Sequence, residues 1–141
     1  MNAAPKPSDG AIPGPAEVLA AARGAVLAAV PAGRAAGGDF RDRLADAYQD
    51  WLATRAAELG IVDGSGFAIV AVGGLGRREM VAYSDLDLVL VHDERFPDQV
   101  GEKADGLWYP IWDSGVALDH SVRSIPEVLR VAREDTSAVL G

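Results

Sequence analysis

The spacing of apolar positions changes near residue 60, from a helical period to short unbroken runs. From Glu17 to Val30 an alanine-rich stretch sets Val18, Ala22, Val26 and Ala29 or Val30 three to four residues apart, which predicts a helix stopped by Pro31. Asp39 is placed to cap a second helix. Its stripe of Phe40, Leu44, Tyr48, Trp51, Leu52, Ala56 and Leu59 forms a wide apolar face, and Gly60 ends it. Beyond that point Phe67–Val72 and Leu86–Val91 are continuous apolar runs, the pattern of buried strands. A third helix is expected over about residues 97–112 and a third strand over Val116–Val122. A last amphipathic helix carries Val128, Leu129 and Ala132, with Pro126 in its first turn. The order helix, helix, strand, strand, helix, strand, helix predicts an α/β (α+β) domain on a small mixed sheet.

Residues 1–15 hold Pro5, Pro7, Pro13 and Pro15 with Gly10 and Gly14, so they read as a disordered lead-in to a domain over residues 16–141. Gly33 to Gly38 reads as a small-residue linker between the first two helices. A chain of 141 residues with 49% apolar and 24% charged positions suits one globular domain.

Charge then narrows the function. Thirteen basic against 21 acidic residues leave a net charge of −8, and most of the acid excess falls after residue 60. Such a chain lacks the positive field that attracts nucleic acid or an anionic membrane. The absence of cysteine excludes a disulfide framework, a cysteine-ligated metal and a thiol nucleophile, and fits a cytoplasmic setting. No apolar run reaches the roughly 18–20 residues that cross a bilayer.

The candidate chemistry lies between the two apolar runs. Asp85 and Asp87 are two apart on a predicted strand, so their carboxylates share one face while Leu86 and Leu88 enter the core. Neither Lys nor Arg occurs from Glu79 to Glu94, so the simplest neutraliser of the pair is a divalent cation. Oxygen ligands of this kind suit Mg2+ or Mn2+, the ions of in-line phosphoryl displacement. Gly73 and Gly74 follow the first strand directly, where bare backbone can approach a phosphate. Asp-x-Asp alone is common and Gly-Gly alone is a tight turn; their combination, ten residues apart across two strands, is far more specific. Neither a Gly-x-Gly-x-x-Gly fingerprint nor a P-loop is present, because Glu79 and Gly76-Arg77-Arg78 occupy the deciding positions.

The stretch from Val70 to Leu90, with Leu107-Trp-Tyr-Pro-Ile-Trp-Asp-Ser-Gly115, His120-Ser-Val-Arg-Ser124 and Arg41–Leu52, resembles the bacterial PII uridylyltransferase/uridylyl-removing enzymes. These are members of the polymerase-β-like nucleotidyltransferase superfamily, and the likeness covers about residues 40–140. Leu75 stands where that family usually has tyrosine, Arg78 where it has glycine and Met80 where it has leucine. Its members continue into a helical region, a phosphohydrolase domain and paired ACT domains, so the chain is expected to be an N-terminal fragment with transferase chemistry but no removing or sensing activity, and weakly active or inactive by itself.

The resemblance implies attack by a tyrosine hydroxyl of the PII protein on the α-phosphate of UTP, with pyrophosphate leaving. Asp85 and Asp87 would hold the metal, Gly73 and Gly74 would contact the triphosphate, and Arg77 or Ser84 would orient it. A third carboxylate is expected from a later strand, with Asp119 the first candidate and Asp135 the second. By the resemblance His120 and Arg123 could touch nucleotide, though by themselves they read as locally satisfied; His92 reads as a solvated strand end, and Trp51, Trp108, Tyr109 and Trp112 as core rather than base-stacking platforms. Two other functions remain open at this point: another nucleotidyl transfer, such as adenylyl transfer to a small molecule or protein, and a catalytically silent nucleotide-binding fragment.

Overall fold

The computed structural model describes residues 12–29, 38–80 and 84–140, without the side chains of residues 38 and 135–140. The expected lead-in up to residue 11, the Pro31 stop and the linker over residues 33–37 lie outside the described residues. Helix α1 (Pro15–Ala28) starts within the proline-rich stretch, because a proline in the first turn forfeits no helical hydrogen bond. Its buried face is also one position away from the one expected. Leu19 is fully buried and Val18 is exposed, while Ala22 and Val26 are partly covered. An alanine-rich helix offers several stripes of similar hydrophobicity, and packing selects among them.

Helix α2 (Gly38–Glu58) carries Asp39 in its first turn rather than as its cap. Phe40, Leu44, Tyr48, Trp51 and Leu52 are buried, as the stripe requires. Gly60, at φ 75°, closes the helix: the amide of Gly60 donates to Ala57 O and that of the buried Ile61 to Ala56 O. The indole N–H of Trp51 donates to Pro15 O at 2.9 Å, which ties α2 to the start of α1. Burial raises the Tyr48 phenol above its ordinary pKa, with nearby Arg23 opposing the shift.

Three strands form one sheet in the order β1 (Phe67–Val72), β2 (Leu86–His92), β3 (Leu118–Ser124). β1 pairs antiparallel with β2 and β2 pairs parallel with β3, so the sheet is mixed. Helix α4 (Pro97–Asp113) makes the crossover that a parallel pair needs. β3 begins two residues later than expected. Val116 is instead a buried core residue, and Ala117 O accepts the Leu86 amide at 2.9 Å.

One sheet face carries Leu86, Leu88 and Leu90, all buried in the same core as Leu107, Trp108 and Ile111 of α4. The opposite face leaves Val70 and Val72 exposed. Lys103 of α4 donates to Leu59 O at 2.6 Å and Arg55 of α2 to Gly106 O at 2.9 Å, which joins the two helices.

Two aromatic expectations and one histidine expectation change. Trp51 and Trp108 are core residues, but Tyr109 and Trp112 are 56% and 43% exposed, on the side of α4 away from the buried Trp108 and Ile111. His92 is not a solvated strand end: its ring lies 6.5 Å from that of Phe67, and Nδ1 is buried without a partner among the described residues.

Helix α5 (Ile125–Leu140) opens with a reciprocal cap that the sequence Ser124-Ile-Pro-Glu127 encodes. The Ser124 amide donates to Glu127 Oε1 at 3.0 Å, and the Glu127 amide donates to Ser124 Oγ at 3.3 Å. The bond from the Ser124 amide, then that from its side chain, holds the Glu127 carboxyl below its ordinary pKa of 4.5. A depressed carboxyl stabilises the fold above that ordinary value and ceases to do so as pH falls through the folded one. Glu127→Gln should therefore melt below the wild-type protein at neutral pH, with the two melting curves converging well below pH 4.5. Thermal denaturation at both pH values checks this, and a pH-independent gap would contradict it.

Candidate active site

The carboxylates gather at one end of the sheet. Val72 ends β1, Asp87 is its partner on β2, and Asp119 is the partner of Asp87 on β3, so the three side chains form a row on the open face. Asp87 and Asp119 are thus nearest neighbours on parallel strands, where like charges oppose pairing. The sequence indicated Asp119 only through a resemblance; the register is what brings it beside Asp87. Asp85 differs from expectation, since it stands one residue before β2 and is exposed. The alternation of the strand itself holds, with Asp87 half-buried between the buried Leu86 and Leu88. Among the described residues, none of Asp85, Asp87 or Asp119 forms an ion pair.

The link from β1 to β2 starts as one helical turn, α3 (Gly73–Gly76), against these carboxylates. Gly73 has φ 60°, and a β-carbon on it would collide with the Asp87 carboxylate. Glycine adopts that φ freely, and any side chain there would have to displace the Asp87 carboxylate. A β-carbon on Gly76 would come within 2.7 Å of Ala71 O, so the turn also lies close on β1. Leu75 and Met80 are both fully buried and anchor the segment in the core. Residues 81–83 lie outside the described residues, and Ser84 leads from them to Asp85.

Arg77 and Arg78 diverge. The Arg77 guanidinium is exposed and paired with Glu79 at 3.1 Å. Arg78 sits at φ 56°, a backbone conformation that glycine adopts freely, and its guanidinium reaches α2. That contact had no local signal, because Asp46 lies 32 residues earlier in the chain.

His120 packs against Trp108 and Trp112, with ring centroids 5.2 and 5.1 Å away, and projects to the sheet face opposite Asp119. Arg123 lies near Glu127, further along β3. Asp135 belongs to the part of α5 whose side chains are not described.

No group of three or more His, Asp or Glu side chains among the described residues is gathered closely enough to hold a metal unaided. Asp85 and Asp119 are exposed and Asp87 is half-buried. A cavity of about 670 Å3 lies elsewhere, between β1 and α2, lined by Leu52, Ala56, Ile61, Phe67 and Ile69 among others.

No family model and no solved structure matches the chain. Curated proteins do. The chain is 52% identical over 102 residues to a bifunctional uridylyltransferase/uridylyl-removing enzyme of Mycobacterium tuberculosis, a match covering 72% of this chain and 13% of that protein. A namesake from Streptomyces coelicolor is 43% identical over 112 residues, 77% of this chain and 13% of the relative. Another from Corynebacterium glutamicum is 42% identical over 76 residues, 54% of this chain and 10% of the relative. The chain therefore spans about one eighth of the length of the first relatives it matches. Across that span it belongs to the bifunctional uridylyltransferase/uridylyl-removing enzyme family.

Proposed function

We propose that the carboxylate end of the sheet is a nucleotidyltransferase centre that moves a uridylyl group from UTP to a tyrosine hydroxyl of a PII regulatory protein. The observation that carries this reading is the in-register pair Asp87 and Asp119, with Gly73 packed directly on Asp87. Of the two activities in the relatives' name, this arrangement suits the transferase. A carboxylate row beside a glycine turn accommodates a triphosphate, and the two histidines are occupied by aromatic neighbours.

The donor set fits a hard divalent cation. Mg2+ is commonly held by one or two carboxylates together with substrate phosphates rather than by a full protein cage. Asp85 and Asp87 would hold Mg2+ or Mn2+, which supplies charge neutralisation to the triphosphate and the leaving pyrophosphate. Gly73 and Gly74 would let the phosphates approach the backbone, and Arg77 or Ser84 would orient them. In the transfer, the acceptor oxygen bonds to the α-phosphorus while the bond from that phosphorus to the β-bridging oxygen breaks. The hydroxyl proton passes to Asp119, the carboxylate on the outer strand. Such catalysis rests on positioning and charge rather than on a covalent intermediate.

Calorimetric titration of UTP should give binding with Mg2+ and none with chelator; equal binding under both conditions would remove the metal from the reading. Asp85→Asn and Asp87→Asn should each lower uridylyl transfer, read from the mass of PII, by at least about 100-fold. Both should leave the melting temperature unchanged or higher, because each removes one member of a repelling set. Unfolding of both variants would make the carboxylates structural. Gly73→Ala should cost roughly 1–3 kcal/mol of stability, since it combines a positive φ with a collision, and a denaturant midpoint matching wild type would contradict the packing described.

A further inference from the structure

The geometry points to Arg78 as a positioning residue that fixes the glycine turn over the carboxylates by gripping α2, an inference that deepens the transferase reading and rests on it. The guanidinium Nη1 donates to Gln49 Oε1 at 2.9 Å. Nη2 donates to Asp46 Oδ1 at 2.7 Å and to Asp42 O at 3.3 Å. Residues 42, 46 and 49 fall on one stripe of the helix surface, and a planar fork is the side chain that spans such a stripe. The grip also pulls the guanidinium above its ordinary pKa, chiefly through the bond to Asp46.

The other end of Arg78 is tied to the turn. Its amide donates to Leu75 O at 3.1 Å, and the next amide, of Glu79, donates to Gly74 O at 2.7 Å. Gly73, at the head of the same turn, touches Asp87. A continuous set of contacts therefore runs from α2 through Arg78 and the turn to Asp87. At the same residue the backbone has φ 56°, which side chains other than glycine seldom adopt unless their surroundings hold them. In a conformation that glycine reaches freely, this chain has a residue that needs the grip and gains an anchor from it. Exposed ion pairs contribute little to global stability, so the contribution expected of this one is orientation of the turn.

The test compares wild type with Arg78→Ala, Arg78→Gly, Arg78→Lys, Asp46→Ala and the double variant Arg78→Ala/Asp46→Ala. It uses amide hydrogen exchange, thermal melting and calorimetric titration of UTP with Mg2+. Arg78→Ala and Arg78→Gly should both speed exchange at Gly74–Glu79 by roughly threefold or more, with little change in the sheet or in melting temperature. Both should weaken UTP binding. Asp46→Ala should move exchange and affinity in the same direction by less, Arg78→Lys should restore part of the loss, and the double variant should be no worse than Arg78→Ala. Wild-type exchange in Arg78→Gly would overturn the inference, because backbone conformation alone would then suffice. A uniform rise in exchange with a falling melting temperature would overturn it too, by making Arg78 an ordinary stability residue. If wild type fails to bind UTP at all, the transferase reading falls, while the local exchange still decides whether Arg78 holds the turn.

Discussion

Two carboxylates in register on neighbouring parallel strands repel, and the fold holds them there because the alternative is worse. Beneath Asp87, β2 sends Leu86, Leu88 and Leu90 into the core with essentially no exposed surface. Burying each leucine contributes about 1.5–3 kcal/mol, whereas a directly opposed like-charge pair costs on the order of 0.2–1 kcal/mol. A slip of one residue would exchange the faces, exposing the leucines and burying Asp87. The hydrophobic term therefore fixes the direction of the Asp87 carboxylate by a wide margin. Its contact with Gly73 then fixes which residue can begin the next turn.

This division explains what was legible in the sequence. The stripe of α2 and the runs of β1 and β2 follow from periodicity, because each buries a wide apolar face with few competing alignments. The stripe of α1 does not, since in an alanine-rich helix the stripes through Val18 and Leu19 differ too little in hydrophobicity for anything but the packed neighbour to choose. β3 was misplaced by two residues for a related reason. Val116 is apolar and buried like a strand residue, yet it belongs to the approach to the strand.

The site was legible in its residue types and not in its assembly. Asp-Leu-Asp and Gly-Gly are local patterns, and their positions follow from the strands that flank them. The pairing of Asp87 with Asp119 is a property of register between segments 32 residues apart, with the crossover helix between them. Arg78 posed the same difficulty. Its acceptors lie on the helix before β1, so nothing adjacent in the chain marks the residue as held. By contrast, the Ser124–Glu127 cap was written in four consecutive residues and could have been read directly.

The spacing of the carboxylates bears on the order of events in the proposed transfer. A site that gathers three carboxylates tightly would bind a divalent ion without nucleotide and pay their repulsion in advance. Here the described side chains do not close around an ion, and Asp85 remains exposed ahead of the strand. On the proposed reading, ion and triphosphate complete each other's surroundings, so each raises the affinity for the other by the same factor. On that reading the linkage rests on three features of the chain: a leucine-backed strand, a glycine turn packed on its carboxylate, and an arginine that anchors the turn from outside the site.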